Sequence, residues 1–74
     1  MIPEEVRHIF ERTYGDSVLN VERLKNWKGH EVFSVVFRKP MTVGWCTYVI
    51  GIKNKYRLVT PEEGMALRRF YENN

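Results

Sequence analysis

Seventy-four residues make a single domain, expected to span residues 1–74, and a chain this short buries only roughly 60% of the surface it exposes when unfolded. Its 43% hydrophobic and 14% aromatic content excludes a disordered chain, while its net charge of +3, from 12 Lys and Arg against 9 Asp and Glu, is too modest to define a partner by itself. Cys46 is the sole cysteine, which rules out an internal disulfide and points to a reducing, cytoplasmic setting.

Three further classes are not expected. The longest apolar run, Val43–Ile52, is about half of the roughly 20 residues that a membrane span needs. Glu4 and Glu5 stand where a secretory leader would carry bases. The soft ligands Cys46, His8 and His30 sit at no metal-ligand spacing, so neither a metal nor another cofactor is expected. Small domains often rely on a disulfide, a metal or a partner chain, and oligomerisation is the staple left open.

The elements follow in chain order. Residues 3–14 read as a helix, with Pro3 at its first position, Glu4 and Glu5 in its first turn, and Ile2, Val6, Ile9, Phe10, Thr13 and Tyr14 on one stripe. Gly15 ends it. Residues 18–24 form a first strand, and Asn26 to Gly29 its turn. Residues 31–38 and 43–52, rich in β-branched and aromatic side chains, form the next two, joined by a turn at Lys39-Pro40-Met41-Thr42. After Lys53-Asn54-Lys55 a short fourth strand spans 56–59. Thr60-Pro61-Glu62-Glu63 is a capping box that opens a second helix over 60–72, with Ala66, Leu67, Phe70 and Tyr71 as its buried stripe and Gly64 as an interior breaker. The fold class is α+β: an antiparallel meander of three or four strands, in the order α-β-β-β-(β)-α, with both helices expected on one face.

Strand phase then assigns the faces. Pairing the second and third strands around the Pro40 turn sets Phe33 opposite Tyr48 and Val35 opposite Cys46. Phe37, Ile50, Leu19, Val21, Tyr56 and Leu58 join the same apolar face. The opposite face then holds Val32, Val36, Trp45 and Val49, with Trp27 in the turn nearby. Single surface hydrophobes are ordinary, but a contiguous patch marks an interface. The leading expectation is therefore a non-catalytic interaction module that uses this outer face for homodimerisation or for a protein partner.

A second expectation rests on charge. Between Arg23 and Arg57 the bases Arg23, Lys25, Lys28, Arg38, Lys39, Lys53, Lys55 and Arg57 are interrupted by a single acid, Glu31. A meander brings its first and third turns to one end, which gathers Lys25, Trp27, Lys28 and His30 towards Lys53 and Lys55, with Arg68 and Arg69 of the second helix finishing nearby. Turn lysines commonly just solvate and protect a sheet edge. Together with an exposed aromatic they also make the footprint of a nucleic-acid-binding surface, with lysines on phosphates and Trp27 stacked on a base.

An α-β-β-β-α order of this length resembles the double-stranded-RNA-binding domain. That family grips phosphates with a lysine-rich start to its second helix, where this chain has Thr60-Pro61-Glu62-Glu63, which would repel them. Tyr14-Gly15-Asp16 leading into a strand, and Gly29-His30-Glu31-Val32 opening the next, are similar to PepSY-type domains. The helix-plus-meander order is similar to small cystatin-like domains as well, and some members of both groups bind or inhibit other proteins. No functional residue carries across from any of these.

Catalysis has no residue set behind it. In the pairing above, Cys46 lies about 16 Å along the strand from His30, far beyond the roughly 3 Å that a nucleophile and its base require. His8 follows Glu4 by one helical turn and reads as a solvated residue. Capping and the helix dipole account for the pairs Glu62/Glu63 and Glu4/Glu5, and Asp16 serves the turn after Gly15.

Overall fold

The structure, a computed structural model, describes residues 2–39 and 47–73. Helix α1 (Glu4–Tyr14) leads through one 3-10 turn (Gly15–Ser17) into β1 (Val18–Trp27). Strands β2 (His30–Phe37), β3 (Tyr48–Ile52) and β4 (Lys55–Leu58) follow, and helix α2 (Pro61–Glu72) closes the chain. The strands form one antiparallel sheet in the order β1-β2-β3-β4, an α+β meander as expected. The fourth strand separates it from the α-β-β-β-α order. No helix among the described residues is long and apolar enough to cross a membrane.

Local chemistry sets the helix ends. Gly15 at φ 60° stops α1, a conformation that β-carbon sterics deny to most residues. Pro3 sits one place earlier than expected, in the capping position rather than inside the helix. At α2 both halves of the capping box form: the Glu63 N–H donates to Thr60 Oγ1 at 3.2 Å, and the Thr60 N–H donates to Glu63 Oε1 at 2.9 Å. Arg57 of β4 donates two bonds of 2.8 Å to the same carboxylate and so ties the helix start to the sheet.

Those bonds hold the Glu63 carboxyl down at about 2, with the Arg57 hydrogen bond as the main cause and the Thr60 N–H next. The acid form loses them, so their stabilisation is complete above the ordinary value of 4.5 and disappears as the pH falls towards 2. Glu63→Gln is expected to cost about 1 kcal/mol at pH 7, because the pair is largely solvent-screened, and almost nothing near pH 2. Urea melts of both proteins across that range check it.

The two helices lie on opposite faces of the sheet, which corrects the expectation that both cover one. Val6, Ile9 and Phe10 of α1 pack with Val18, Val21, Phe33 and Val49 on one face. On the other, Leu67 of α2 packs with Val32, Ile50 and Val59, flanked by Leu24, Trp27, Tyr48, Ile52 and Tyr71. Adjacent strand residues point to opposite sides, so Val32 and Phe33, like Val49 and Ile50, each belong to a different core.

Register explains the rest of the correction. Phe33 pairs with Val49 and Ser34 with Tyr48, one residue from the expected pairing. That single step moves Val49 onto the Phe33 face and puts Ile50 and Tyr48 on the Val32 face. A second one-residue difference cancels the first at β4: the β3–β4 turn has two residues rather than three, so Val49 pairs with Leu58 and Gly51 with Tyr56. Leu58 and Tyr56 therefore do share a face with Phe33, as expected.

In β1 the register shifts between Val18 and Asn20 and again between Leu24 and Trp27. Each irregularity inserts a residue and resets the side-chain phase. Burial in β1 consequently falls on Val18, Val21, Leu24 and Trp27, every third position, and Leu19, expected in the core, is 53% exposed. In α2 it is Gly64 and Leu67 that are buried, whereas Ala66 is exposed.

The Gly51–Tyr56 pair is a further constraint. A β-carbon on Gly51 would lie 2.6 Å from Tyr56 Cε1. The Tyr56 ring in turn meets Phe33 edge-on, with centroids 6.0 Å apart. Gly51→Ala is expected to destabilise by about 1–3 kcal/mol, because the ring can retreat only by giving up that contact. A urea melt of this variant gives the number.

Candidate functional site: the hairpin end of the sheet

Two tight hairpins build the site. Lys28 (φ 52°) and Gly29 (φ 77°) link β1 to β2, and Lys53 (φ 51°) and Asn54 (φ 65°) link β3 to β4. Two consecutive left-handed residues are the mark of the type I′ turn, whose twist matches that of the strands. Asn or Gly usually fills its first central position, because an L side chain pays roughly 1–2 kcal/mol to enter the left-handed region. Lysine occupies that position in both hairpins.

The meander sets both turns at one end of the sheet, about 10 Å apart at two strand spacings. Lys25, Lys28, Lys53 and Lys55 are all exposed there, and none makes a salt bridge among the described residues. The sole acid in this stretch, Glu31, lies 3.6 Å from Arg23. His30 opens β2 beside them, half-buried.

Each tip also carries an aromatic ring. At the first, Trp27 packs against the α2 core, and the Lys28 ammonium sits over its ring, 4.9 Å from the centroid. At the second, Tyr56 lines a shallow groove with Ile52, Lys53, Lys55 and Arg57. Sequence reasoning did not single out Tyr56, Ile52 or Arg57 for this end, although Ile52 directly before the Lys53-Asn54 turn, and Tyr56 and Arg57 two and three residues beyond it, were a usable signal.

The last turn of α2 braces the first tip. Tyr71 Oη donates to the Lys25 carbonyl at 2.6 Å, and the Lys25 ammonium lies 5.7 Å from the Phe70 centroid. Burial, reinforced by Tyr48, pushes the Tyr71 hydroxyl up to about 12, so it remains a donor throughout the neutral range. Arg68 and Arg69 lie in the same two turns of α2, where Arg68 pairs with Glu72 at 3.0 Å and Arg69 is exposed.

Neither a protein-family model, nor a curated protein, nor a solved structure matches this chain.

The residues expected to form an outer docking face do not assemble into one. Val32 and Val49 are both 0% exposed, in different cores on opposite sides of the sheet. Trp27 is half-buried against the α2 core, and Val36 is half-buried. Trp45 lies outside the described residues, as does Cys46. The side expected to be bare is the one α2 covers, because the loop from β4 carries the second helix to the face opposite α1. His8 is exposed on α1, and among the described residues no three of His, Cys, Asp and Glu gather as a metal site.

Proposed function

We propose that this chain is a non-catalytic binding module whose ligand is nucleic acid, held at the hairpin end of the sheet. The observation that carries the reading is the pair of left-handed lysines, Lys28 and Lys53, at the tips of neighbouring type I′ turns. Local energetics favour Asn or Gly at both positions, so the ammonium groups are kept there against a conformational cost. With Lys25 and Lys55 they make four cations without an acidic partner among the described residues, with Trp27 beside them on the α2 side of the sheet and Tyr56 on the α1 side. Cations that follow a phosphate backbone, together with rings that accept bases, are the two parts of a nucleic-acid-binding surface. Glu63, at the α2 N-terminus beside the second tip, is held by two hydrogen bonds from Arg57, so its charge is already neutralised there.

Filter binding of single- and double-stranded oligonucleotides across a salt series tests the proposal. If four lysines meet phosphates, the logarithm of affinity falls with the logarithm of salt at a slope of about −3, at roughly 0.7 per contact on a single strand. No binding at low salt, or binding indifferent to salt, removes it.

A further inference from the structure

We infer that the nucleic acid is single-stranded, and that Lys28 is a placeholder on the Trp27 ring that yields to a base. The inference rests on the reading above and specifies its ligand. The Trp27 indole is half-buried against the α2 core, and the Lys28 ammonium lies over its ring, 4.9 Å from the centroid. An exposed cation over an indole is held weakly, whereas a nucleobase stacked on the same ring is held more strongly. A base therefore displaces the ammonium, and the lysine, fixed at the turn beside it, is released towards the adjoining phosphate. One exchange thus completes both a stacking contact and an ionic one.

Only an unpaired strand can make this exchange, because the bases of a duplex already stack on one another. Lys25, braced by Tyr71 and resting over Phe70, lies on the same tip to follow the backbone, and Lys53 and Lys55 continue the cationic surface about 10 Å away. The sheet end is four strands wide, so the strand crosses from one tip to the other rather than running along a face.

The test uses a Trp45→Phe background, which leaves Trp27 as the single tryptophan. An oligothymidylate, a duplex with the same number of phosphates and a polyglutamate of equal charge are titrated at low salt. Labelled-ligand anisotropy and Trp27 emission are followed together. The expected result is oligothymidylate binding at least about tenfold tighter than the duplex, with Trp27 quenched by the single strand alone. Trp27→Leu, which keeps an apolar side chain against the core, lowers single-strand affinity by about tenfold, within the range that one stacked base supplies. Lys28→Asn keeps the quenching and lowers the salt slope by about 0.7.

Equal or tighter duplex binding, or single-strand binding that neither quenches Trp27 nor responds to Trp27→Leu, overturns the stacking inference and leaves the cationic end standing. Polyglutamate bound as tightly as oligothymidylate overturns it in favour of an acidic polypeptide. Failure of every ligand at low salt removes the proposed function itself.

Discussion

Leu67→Ala is expected to remove about 2–5 kcal/mol of stability, on the order of half of what a domain of this size holds. Leu67 is the one large side chain of α2 that is fully buried, and it closes the core formed by Val32, Ile50 and Val59. Deleting it forfeits the transfer energy of the removed atoms and leaves a cavity that a sheet cannot collapse to fill. A chain of 74 residues has in total roughly 4–11 kcal/mol, at about 0.05–0.15 per residue. Because each face of the sheet has its own helix, α1 does not compensate. The variant should therefore shift the urea midpoint strongly and bind a hydrophobic dye as Val32 and Ile50 become accessible. Ala66→Ser, one residue away and exposed, should do neither. A loss below about 0.5 kcal/mol for Leu67→Ala, the range of an ordinary surface substitution, would show that α2 is not what covers this face.

The second large effect has opposite signs in two measurements. Changing both Lys28 and Lys53 to Asn should stabilise the fold while weakening nucleic-acid binding. Asn enters the left-handed region more readily than Lys, so each change is expected to add up to about 1 kcal/mol. For a domain this small, 1 kcal/mol raises the melting temperature by about 4–8 °C. Two ammonium groups are lost at once, and the slope of affinity against salt should shrink by about 1.4, at roughly 0.7 per phosphate contact. Thermal melts and binding titrations on one protein preparation read both effects. If the double variant gains stability and binds as before, the lysines serve only to solvate the turns, and the proposed site is elsewhere.

Reading the chain without its structure succeeded where a signal was local. Thr60-Pro61-Glu62-Glu63 announces the start of α2, and both reciprocal bonds form. Gly15 announces the end of α1, and it takes the positive φ that such a stop requires. An antiparallel meander of three or four strands follows from β-branched runs separated by turn residues, and the structure has four. Placing the first and third turns at one end needed only that topology, so the clustering of Lys25, Lys28, Lys53 and Lys55 was legible in advance. Their left-handed backbones were not, because Lys is an unusual residue for the position and the turns read equally well as longer ones.

Phase was harder. Both faces of the sheet are apolar, so Val32 and Phe33, or Val49 and Ile50, are equally good candidates for a core. Alternation distinguishes faces only when one of them is polar. A surplus of apolar residues on the second face was legible in the sequence, but its meaning was not: a helix of the same chain covers it.

The sequence by itself determined the helices, the strands, their antiparallel order and the end of the sheet at which charge gathers, because caps, turns and β-propensity act over a few residues. Tertiary structure alone decided the one-residue registers, the phase resets in β1 and the placement of α1 and α2 on opposite faces. Those depend on which apolar surfaces meet across the chain, and a pattern apolar on both sides is compatible with either arrangement until the helices pack.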